Sequence, residues 1–152
     1  MLNDWTQRLA TATAKAVREF APTLAGEPVI LLALDCHPWH GSIDLAVLTH
    51  REVEASPFLH NPTEMASWQH FYFSSSLESW KTVDELAAEM KAAYYSASDM
   101  EQVAEAFMIA CAHVAFYPEV VESVELFVRH ANFRISVTHP DNGHEFVTGS
   151  SR

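Results

Sequence analysis

The chain has 152 residues, of which 49% are hydrophobic and 19% charged, and this profile predicts one globular domain with a substantial core. Nine Lys and Arg against twenty Asp and Glu give a formal net charge of −11. A chain this acidic has no electrostatic reason to bind nucleic acid or an anionic membrane, so both partners are disfavoured. No apolar run reaches the length of about 18 residues that a spanning helix needs, and charged residues interrupt any candidate signal peptide near the N-terminus.

Two cysteines, Cys36 and Cys111, lie among apolar residues, which predicts buried, reduced thiols in a cytoplasmic protein. A disulfide between them remains an open alternative. We expect a single globular domain over residues 1–148 and a flexible Gly-Ser-Ser-Arg tail over 149–152.

The first 50 residues predict a helix and then a β-hairpin. Over 4–20, apolar residues recur at spacings of three and four, as in an amphipathic helix, and Asn3 or Asp4 can cap it. Residues 29–34 form an unbroken apolar run that suits a strand buried on both faces, and 42–49 alternate as a second strand. The connection between them contains proline and glycine, which turn the chain.

The middle of the chain has the least regular pattern. Residues 50–55 suit one short helical turn, and 56–62 suit a loop because they carry two prolines. The run Trp68-Gln69-His70-Phe71-Tyr72-Phe73 is dense in aromatic residues and favours a third strand, although a helical turn fits nearly as well.

Two helices with capping-box starts follow. Residues 82–85 and 98–101 each begin with a hydroxyl side chain and end with Glu, and the helices are expected to run to about residues 95 and 116. The second helix has an apolar arc wide enough to be buried between neighbours. Residues 119–130 fit a helix or a strand, and Pro118 at a first helical position favours the helix.

The C-terminal part predicts a strand, a turn and a short return strand. Residues 132–138 alternate as a half-buried strand does, 139–143 form a strong turn signal, and 145–147 can return as an edge strand. Adjacent hairpins and clustered helices indicate an α+β fold, in which helices pack mainly on one face of an antiparallel sheet of about three to five strands.

The hairpin tip holds the strongest candidate for a metal or catalytic site. Cys36, His37 and His40 are residue types that bind zinc, and a tight turn can bring two of them to one ion. A structural zinc site needs four ligands, and the sequence shows no second cluster. Neighbours on a strand point to opposite faces, which argues against Cys36 and His37 as a hydrogen-bonded pair for nucleophilic catalysis. We therefore expect no cofactor, with zinc as the alternative.

Acidic residues are concentrated between residues 82 and 125, where nine acids accompany one base, Lys91. Solvated helix faces are the simpler interpretation, and a surface that meets a basic partner is the alternative. Trp39 is the aromatic residue that we expect to join such a contact from the hairpin tip. The candidate partner-binding residues are Trp39, Asp84, Glu85, Glu89, Asp99, Glu101, Glu105, Glu119 and Glu122.

Gly-rich phosphate loops, Gly-x-Ser-x-Gly elbows and dinucleotide fingerprints are absent from the sequence, so a binding protein is favoured over an enzyme. Three hypotheses follow. The first is a non-enzymatic protein-binding domain that uses its acidic helical surface. The second is a metal-binding protein or metal-dependent enzyme that uses Cys36, His37 and His40, and the third is a homodimeric scaffold with a self-complementary aromatic face.

The order of elements carries one resemblance. The LALD strand, the glycine turn, the aromatic segment ASWQHFYF and the late FRISVTHPDNG strand and turn resemble small bacterial families of cytosolic α+β proteins. Some of these families are related to polymorphic-toxin immunity proteins, which neutralise a toxin by binding it. The resemblance spans most of the chain, transfers no catalytic residue and implies a binding function, of which an immunity-type inhibitor is one form.

Overall fold

A computed structural model describes residues 2–146 and 148. Its helices are α1 (Asn3–Phe20), α2 (His50–Ala55), α3 (Val83–Ser96), α4 (Met100–Val114) and α5 (Pro118–Val124). Its strands are β1 (Val29–His37), β2 (Ser42–Thr49), β3 (Arg129–Thr138) and β4 (Glu145–Phe146). Short 3-10 turns occupy much of the chain between α2 and α3.

The four strands form one mixed sheet in the order β2–β1–β3–β4. β1 and β2 make the antiparallel hairpin that the sequence predicts, with Asp35 opposite Asp44. β1 pairs in parallel with β3, and β3 pairs antiparallel with β4. The α+β class and the strand number are therefore confirmed, but the sheet is not antiparallel throughout. The parallel pair is possible because the chain between β2 and β3 is long enough to cross over.

One face of the sheet carries α1, α3, α4 and α5 and contains the main core. Leu45 and Val47 of β2 point into it and are fully buried. The indole nitrogen of Trp5 in α1 donates a hydrogen bond to the carbonyl of Leu86 in α3, at 3.0 Å, which fixes two of these helices together. The predicted placement of helices mainly on one face is confirmed.

The opposite face is covered by α2 and by most of residues 57–76, the stretch that we call the cover segment; Phe73 of this stretch packs in the main core instead. The apolar cluster beneath it is small and comprises Ile30, Leu31, Ala33, Ala46, Leu48, Leu59 and Trp68. The cover segment consists largely of 3-10 turns, including Pro57–His60, Pro62–Ser67 and Phe73–Ser76. This face therefore has a thin covering of irregular backbone.

The aromatic run over residues 68–73 is not a strand, so that prediction was wrong. The run contributes an isolated bridge between His70 and Val47 of β2. Tyr72 has a φ of 52°, in the left-handed region, which ends any extended backbone there. Trp68 packs in the small cluster, whereas Phe73 belongs to the main core, so the run divides between the two faces.

Two predicted helix caps are absent. α1 follows Leu2 and has no side-chain cap, so neither Asn3 nor Asp4 acts as the N-cap. Thr82 precedes α3 without capping it, because a 3-10 turn runs directly into the helix and the Thr82 hydroxyl donates to a carbonyl of that turn.

Two other helices do have side-chain caps. α4 is capped by Asp99 rather than by the predicted Ser98, and the Asp99 carboxylate accepts from the backbone N–H of Gln102 at 3.1 Å. α2 has a full capping box between Thr49 and Glu52, a cap that was not among the predicted ones.

The predicted helix after Pro118 is confirmed as α5, which begins at that proline. It ends earlier than predicted, because residues 129–130 already belong to β3. β4 matches the predicted return strand at residues 145–146, while residues 147 and 149–152 lie outside the described part of the chain. No single helix within the described residues has the length and hydropathy to cross a membrane; α4 and α5 reach both only as a pair bent by 60°.

Candidate functional site

The hairpin tip does not gather the three predicted metal ligands. Cys36 points into the main core, where its Sγ lies 3.4 Å from the sulfur of Met90. His37 lies on the other face of the sheet, and its Nε2 bonds to Asp35 at 2.9 Å. His40 is exposed, and its ring centroid lies 5.8 Å from that of His37. Across residues 2–146 and 148, no group of three or more His, Cys, Asp or Glu side chains is arranged to hold a metal ion.

Both cysteines are free and buried, as the sequence predicts. A hydrogen bond with Cys111, together with burial, raises the pKa of the Cys36 thiol well above its ordinary range. Cys36 therefore stays a neutral thiol near pH 7, a state that is a poor nucleophile and a poor metal ligand.

Trp39 is half-buried rather than projecting from the hairpin tip. Its ring lies 5.8 Å from that of His139 and 6.2 Å from that of Tyr94 in α3. Gly41, with a φ of +66°, lets the tip approach α3 so closely that an added Cβ would stand 2.9 Å from the Lys91 Cδ. The tip is thus docked on α3, which leaves Trp39 less area for a partner than expected.

The predicted acidic residues are distributed over α3, α4 and α5. Two of them bond to side chains of α1: Glu89 pairs with Arg8 at 2.8 Å, and Glu119 accepts from Gln7 at 2.6 Å. Asp84, Glu85 and Glu122 are exposed. The remaining three, Asp99, Glu101 and Glu105, are also exposed and line one cleft.

This α4–β4 cleft lies between the first half of α4 and the turn that joins β3 to β4, and its volume is about 830 Å³. Ile109 and Phe146 supply apolar surface beside the three carboxylates, and no Lys or Arg of the described chain lines it. None of the three carboxylates forms an ion pair with another described residue. The cleft thus offers unneutralised negative charge next to an apolar surface.

A second polar site lies at the other face of the hairpin and was missed by sequence reasoning. Asp35, which is 9% exposed, accepts at Oδ2 from the hydroxyl of Tyr72 and from Nε2 of His37. Asp44, its neighbour across the hairpin, accepts at Oδ1 from the hydroxyl of Ser74 at 3.1 Å. The cover segment is therefore tied to the sheet through two carboxylates.

The surroundings of this polar site shift the ionisation of its members. Burial raises the pKa of Asp44 to about 6, against a smaller opposite effect of the Ser74 hydrogen bond. The hydrogen bond to Asp35 raises the pKa of His37, although burial alone would lower it. Burial, followed by the bond to Asp35, raises the pKa of Tyr72, so its phenol remains a proton donor at any physiological pH.

A signal for this site was present in the sequence. Asp35 interrupts the apolar run of β1, and Asp44 stands among apolar residues of β2. A charged residue inside a buried strand is expensive unless it has partners, so two of them in one hairpin indicate a polar cluster. What the pattern could not identify was the partners, since Tyr72 and Ser74 come from irregular backbone 37 and 30 residues further on.

Comparison with known proteins adds no relative to this description. No protein-family model matches the chain, and no curated protein sequence or solved structure is significantly similar to it.

Proposed function

We propose that the protein is a non-enzymatic protein-binding domain whose α4–β4 cleft receives a basic segment of a partner. The observation that carries this proposal is the convergence of Asp99, Glu101 and Glu105 on one cleft without a neutralising Lys or Arg among the described residues. Opposite charge accelerates association and sets specificity, while the apolar surface of Ile109 and Phe146 supplies contact area.

The three carboxylates differ in whether they also stabilise helix α4. Asp99 caps α4 and Glu101 lies in its first turn, so both also stabilise the helix through its dipole. Glu105 lies beyond that turn and has no hydrogen bond or ion pair with another described residue. A role in binding therefore explains Glu105 better than a role in helix stability does.

The shape of the site favours an extended ligand. β4 is the last strand of the sheet order, so its outer edge pairs with no other described strand. An extended segment can hydrogen-bond to such an edge and direct alternate side chains into a neighbouring groove. A segment that alternates basic and apolar residues would match both the carboxylates and the apolar surface.

An immunity-type inhibitor that blocks a basic toxin in the cytoplasm is one protein of this class. The acidic cleft and the two unreacted thiols support that proposal. The metal-dependent alternative receives no comparable support, since Cys36 points away from His37 and His40.

A matched pair of charge variants tests the proposal. The probe is a fluorescent peptide of alternating Lys and Val, with a peptide of alternating Glu and Val as its reverse-charge control. The cleft variant combines Asp99→Asn, Glu101→Gln and Glu105→Gln, in which Asn preserves the cap of α4. The control variant, Asp84→Asn with Glu85→Gln and Glu122→Gln, removes the same charge from exposed positions that do not line the cleft.

We expect the Lys-Val peptide to bind the wild type and the control variant, to weaken steeply with added salt, and to lose at least about tenfold in affinity on the cleft variant. A partner captured from the native cell extract should likewise bind the wild type and the control variant and be lost on the cleft variant. Equal binding to the cleft and control variants would show that net charge, rather than this cleft, attracts the peptide.

A further inference from the structure

A small cavity of about 220 Å³ lies where the parallel strands β1 and β3 end side by side. Asp35 and His37 line it from β1, Thr138 and His139 line it from the end of β3, and the cover segment forms a further wall, so that the cavity remains partly open to solvent. The carboxyl ends of parallel strands are where open sheets place their ligands, because loops diverge there and leave a crevice. We call it the Asp35 cavity.

Asp35 brings an unused hydrogen-bond acceptor to this cavity. Both of its donors, the Tyr72 hydroxyl and the His37 ring, bond to Oδ2, and Oδ1 has no hydrogen-bond partner in the described chain. The residue as a whole is more than nine-tenths buried. Oδ1 is not among the fully buried polar atoms of the described chain, so it is open to the cavity, and a ligand that supplies an N–H group to it gains a charge-assisted hydrogen bond.

The charge around the cavity selects a cation. No Lys or Arg lines it in the described chain, and three carboxylates, those of Asp35, Asp44 and Asp141, act electrostatically on His37. Among the described residues that line the cavity, only His37 and His139 can carry positive charge, and a protonated His37 would still face three carboxylates. An anion would therefore meet net repulsion, whereas a cation would be attracted.

The remaining walls of the cavity fit a flat apolar group, such as a single ring, of the ligand. The rings of Phe71 and Tyr72 stack with centroids 3.7 Å apart and form one side, and Met65 and Ala66 form part of another. An engineered cavity of about 150 Å³ in another protein accommodates benzene, so this one has room for a single ring and a short polar substituent. A cation beside an aromatic face gains a further attraction.

We propose that the Asp35 cavity binds a small organic cation in which a primary ammonium group is attached to an apolar body of about one ring. The ammonium donates to Oδ1 of Asp35, and the ring lies against Phe71 and Tyr72. This site is separate from the proposed protein-binding cleft, although His139 lines both.

Three ligands of one size test the proposal on the wild-type protein. Benzylamine carries the ammonium group, benzyl alcohol is its neutral counterpart and benzoate is an anion of similar shape. Binding is measured by calorimetry and by NMR of the His37 and Tyr72 side chains. We expect saturable binding of benzylamine at least about tenfold tighter than that of benzyl alcohol, and no binding of benzoate. Equal affinity for benzylamine and benzyl alcohol, or no saturable benzylamine binding, overturns the proposal.

Variants locate the binding. Asp35→Asn should weaken benzylamine at least about tenfold while leaving benzyl alcohol unchanged. Ala66→Phe, which adds a ring at an exposed lining position, should abolish binding of both and serves as the second test if Asp35→Asn fails to fold. The α4–β4 cleft variant is the control and should bind benzylamine as the wild type does. Loss of benzylamine binding in that control, with retention in Ala66→Phe, would place the cation in the acidic cleft and refute the cavity site.

Discussion

The two faces of the sheet are covered by different means. The helix-covered face buries regular amphipathic helices against β1 and β2, and its residues fill one large apolar cluster. The other face has a small cluster under 3-10 turns, and polar bonds from Tyr72 and Ser74 to two carboxylates hold that covering in place. Apolar periodicity therefore governs the first face, whereas individual hydrogen bonds govern the second.

Two leucines of one strand test this comparison most strongly. Leu45 and Leu48 of β2 are both fully buried, the first in the main core and the second under the cover segment. We expect Leu45→Ala to lower the free energy of unfolding by about 3–5 kcal/mol, since regular helices cannot close the cavity. Leu48→Ala should cost about 2–3 kcal/mol, because irregular backbone relaxes more readily. Urea denaturation measures both, and an equal loss would contradict the difference between the faces.

The hydrogen bonds that attach the cover segment to the sheet are expected to contribute the next largest share of stability. Tyr72→Phe removes one of the two donors to a buried carboxylate and should cost about 1–3 kcal/mol. Tyr95→Phe is the matched control, since its exposed hydroxyl donates only to the carbonyl of Trp39. Proteolysis at low protease concentration should cut the Tyr72→Phe protein within residues 57–76 first, as expected of local opening. Cleavage elsewhere would show that the hydroxyl does not secure this segment.

The raised pKa of Asp44 predicts a pH dependence with a definite sign. The folded protein retains this proton up to a pKa of about 6, whereas the unfolded chain releases it near the ordinary value of 3.8. The resulting stability is complete below the ordinary pKa and is lost as the pH rises through 6. His37 acts in the same direction at higher pH, since its pKa is also raised.

Asp44→Asn removes the loss of folding stability that accompanies deprotonation of Asp44. The variant retains an acceptor for Ser74 and should exceed the wild type in stability at neutral pH by on the order of 1 kcal/mol, a value discounted for the partial exposure of Asp44. Urea denaturation across the pH range measures the change. Glu122→Gln, an exposed substitution, should leave the pH profile unaltered, and an unchanged profile in Asp44→Asn would refute the assignment.

A buried hydroxyl on the helix-covered face gives the smallest effect. Oγ1 of Thr13 in α1 is buried without a hydrogen-bond partner among the described residues, whereas Oγ1 of Thr6 donates to the carbonyl of Leu2 at 2.7 Å. Thr13→Val should therefore stabilise the protein by about 0.5–1 kcal/mol, and Thr6→Val should destabilise it by a similar amount. Thermal denaturation distinguishes the two signs. Destabilisation by Thr13→Val would mean that this hydroxyl does have a partner in solution.

The same contrast explains how much of the fold could be predicted. α1, β2 and α4 follow from apolar periodicity, because a helix or strand that buries one face must repeat its apolar residues at the matching spacing, and β1 follows from its unbroken apolar run. Residues 68–73 were misjudged because Trp68 and Phe73 serve opposite faces, and no single period describes such a run. The parallel pairing of β1 with β3 joins residues about 100 positions apart, a contact that no local pattern encodes.

The candidate sites divide in a similar way. Exposure of Asp99, Glu101 and Glu105 follows from their places on an amphipathic helix, but their convergence on a cleft depends on where β4 lies. Asp35 and Asp44 stood out as charges within apolar strands, whereas their partners come from backbone without a periodic pattern. Sequence patterns thus indicate which side chains are unusual, and long-range packing decides what surrounds them.

The parallel pair has a consequence for how the chain acquires its structure. During synthesis the β1–β2 hairpin can form early, since only four residues separate its strands. The other edge of β1, a strand whose residues are almost all buried in the folded protein, stays unpaired until β3 has been synthesised about 100 residues later. Before β3 pairs with it, this edge of β1 exposes unpaired backbone groups and apolar side chains that other chains can contact. We therefore expect aggregation of nascent chains and a slow final folding step when β3 docks.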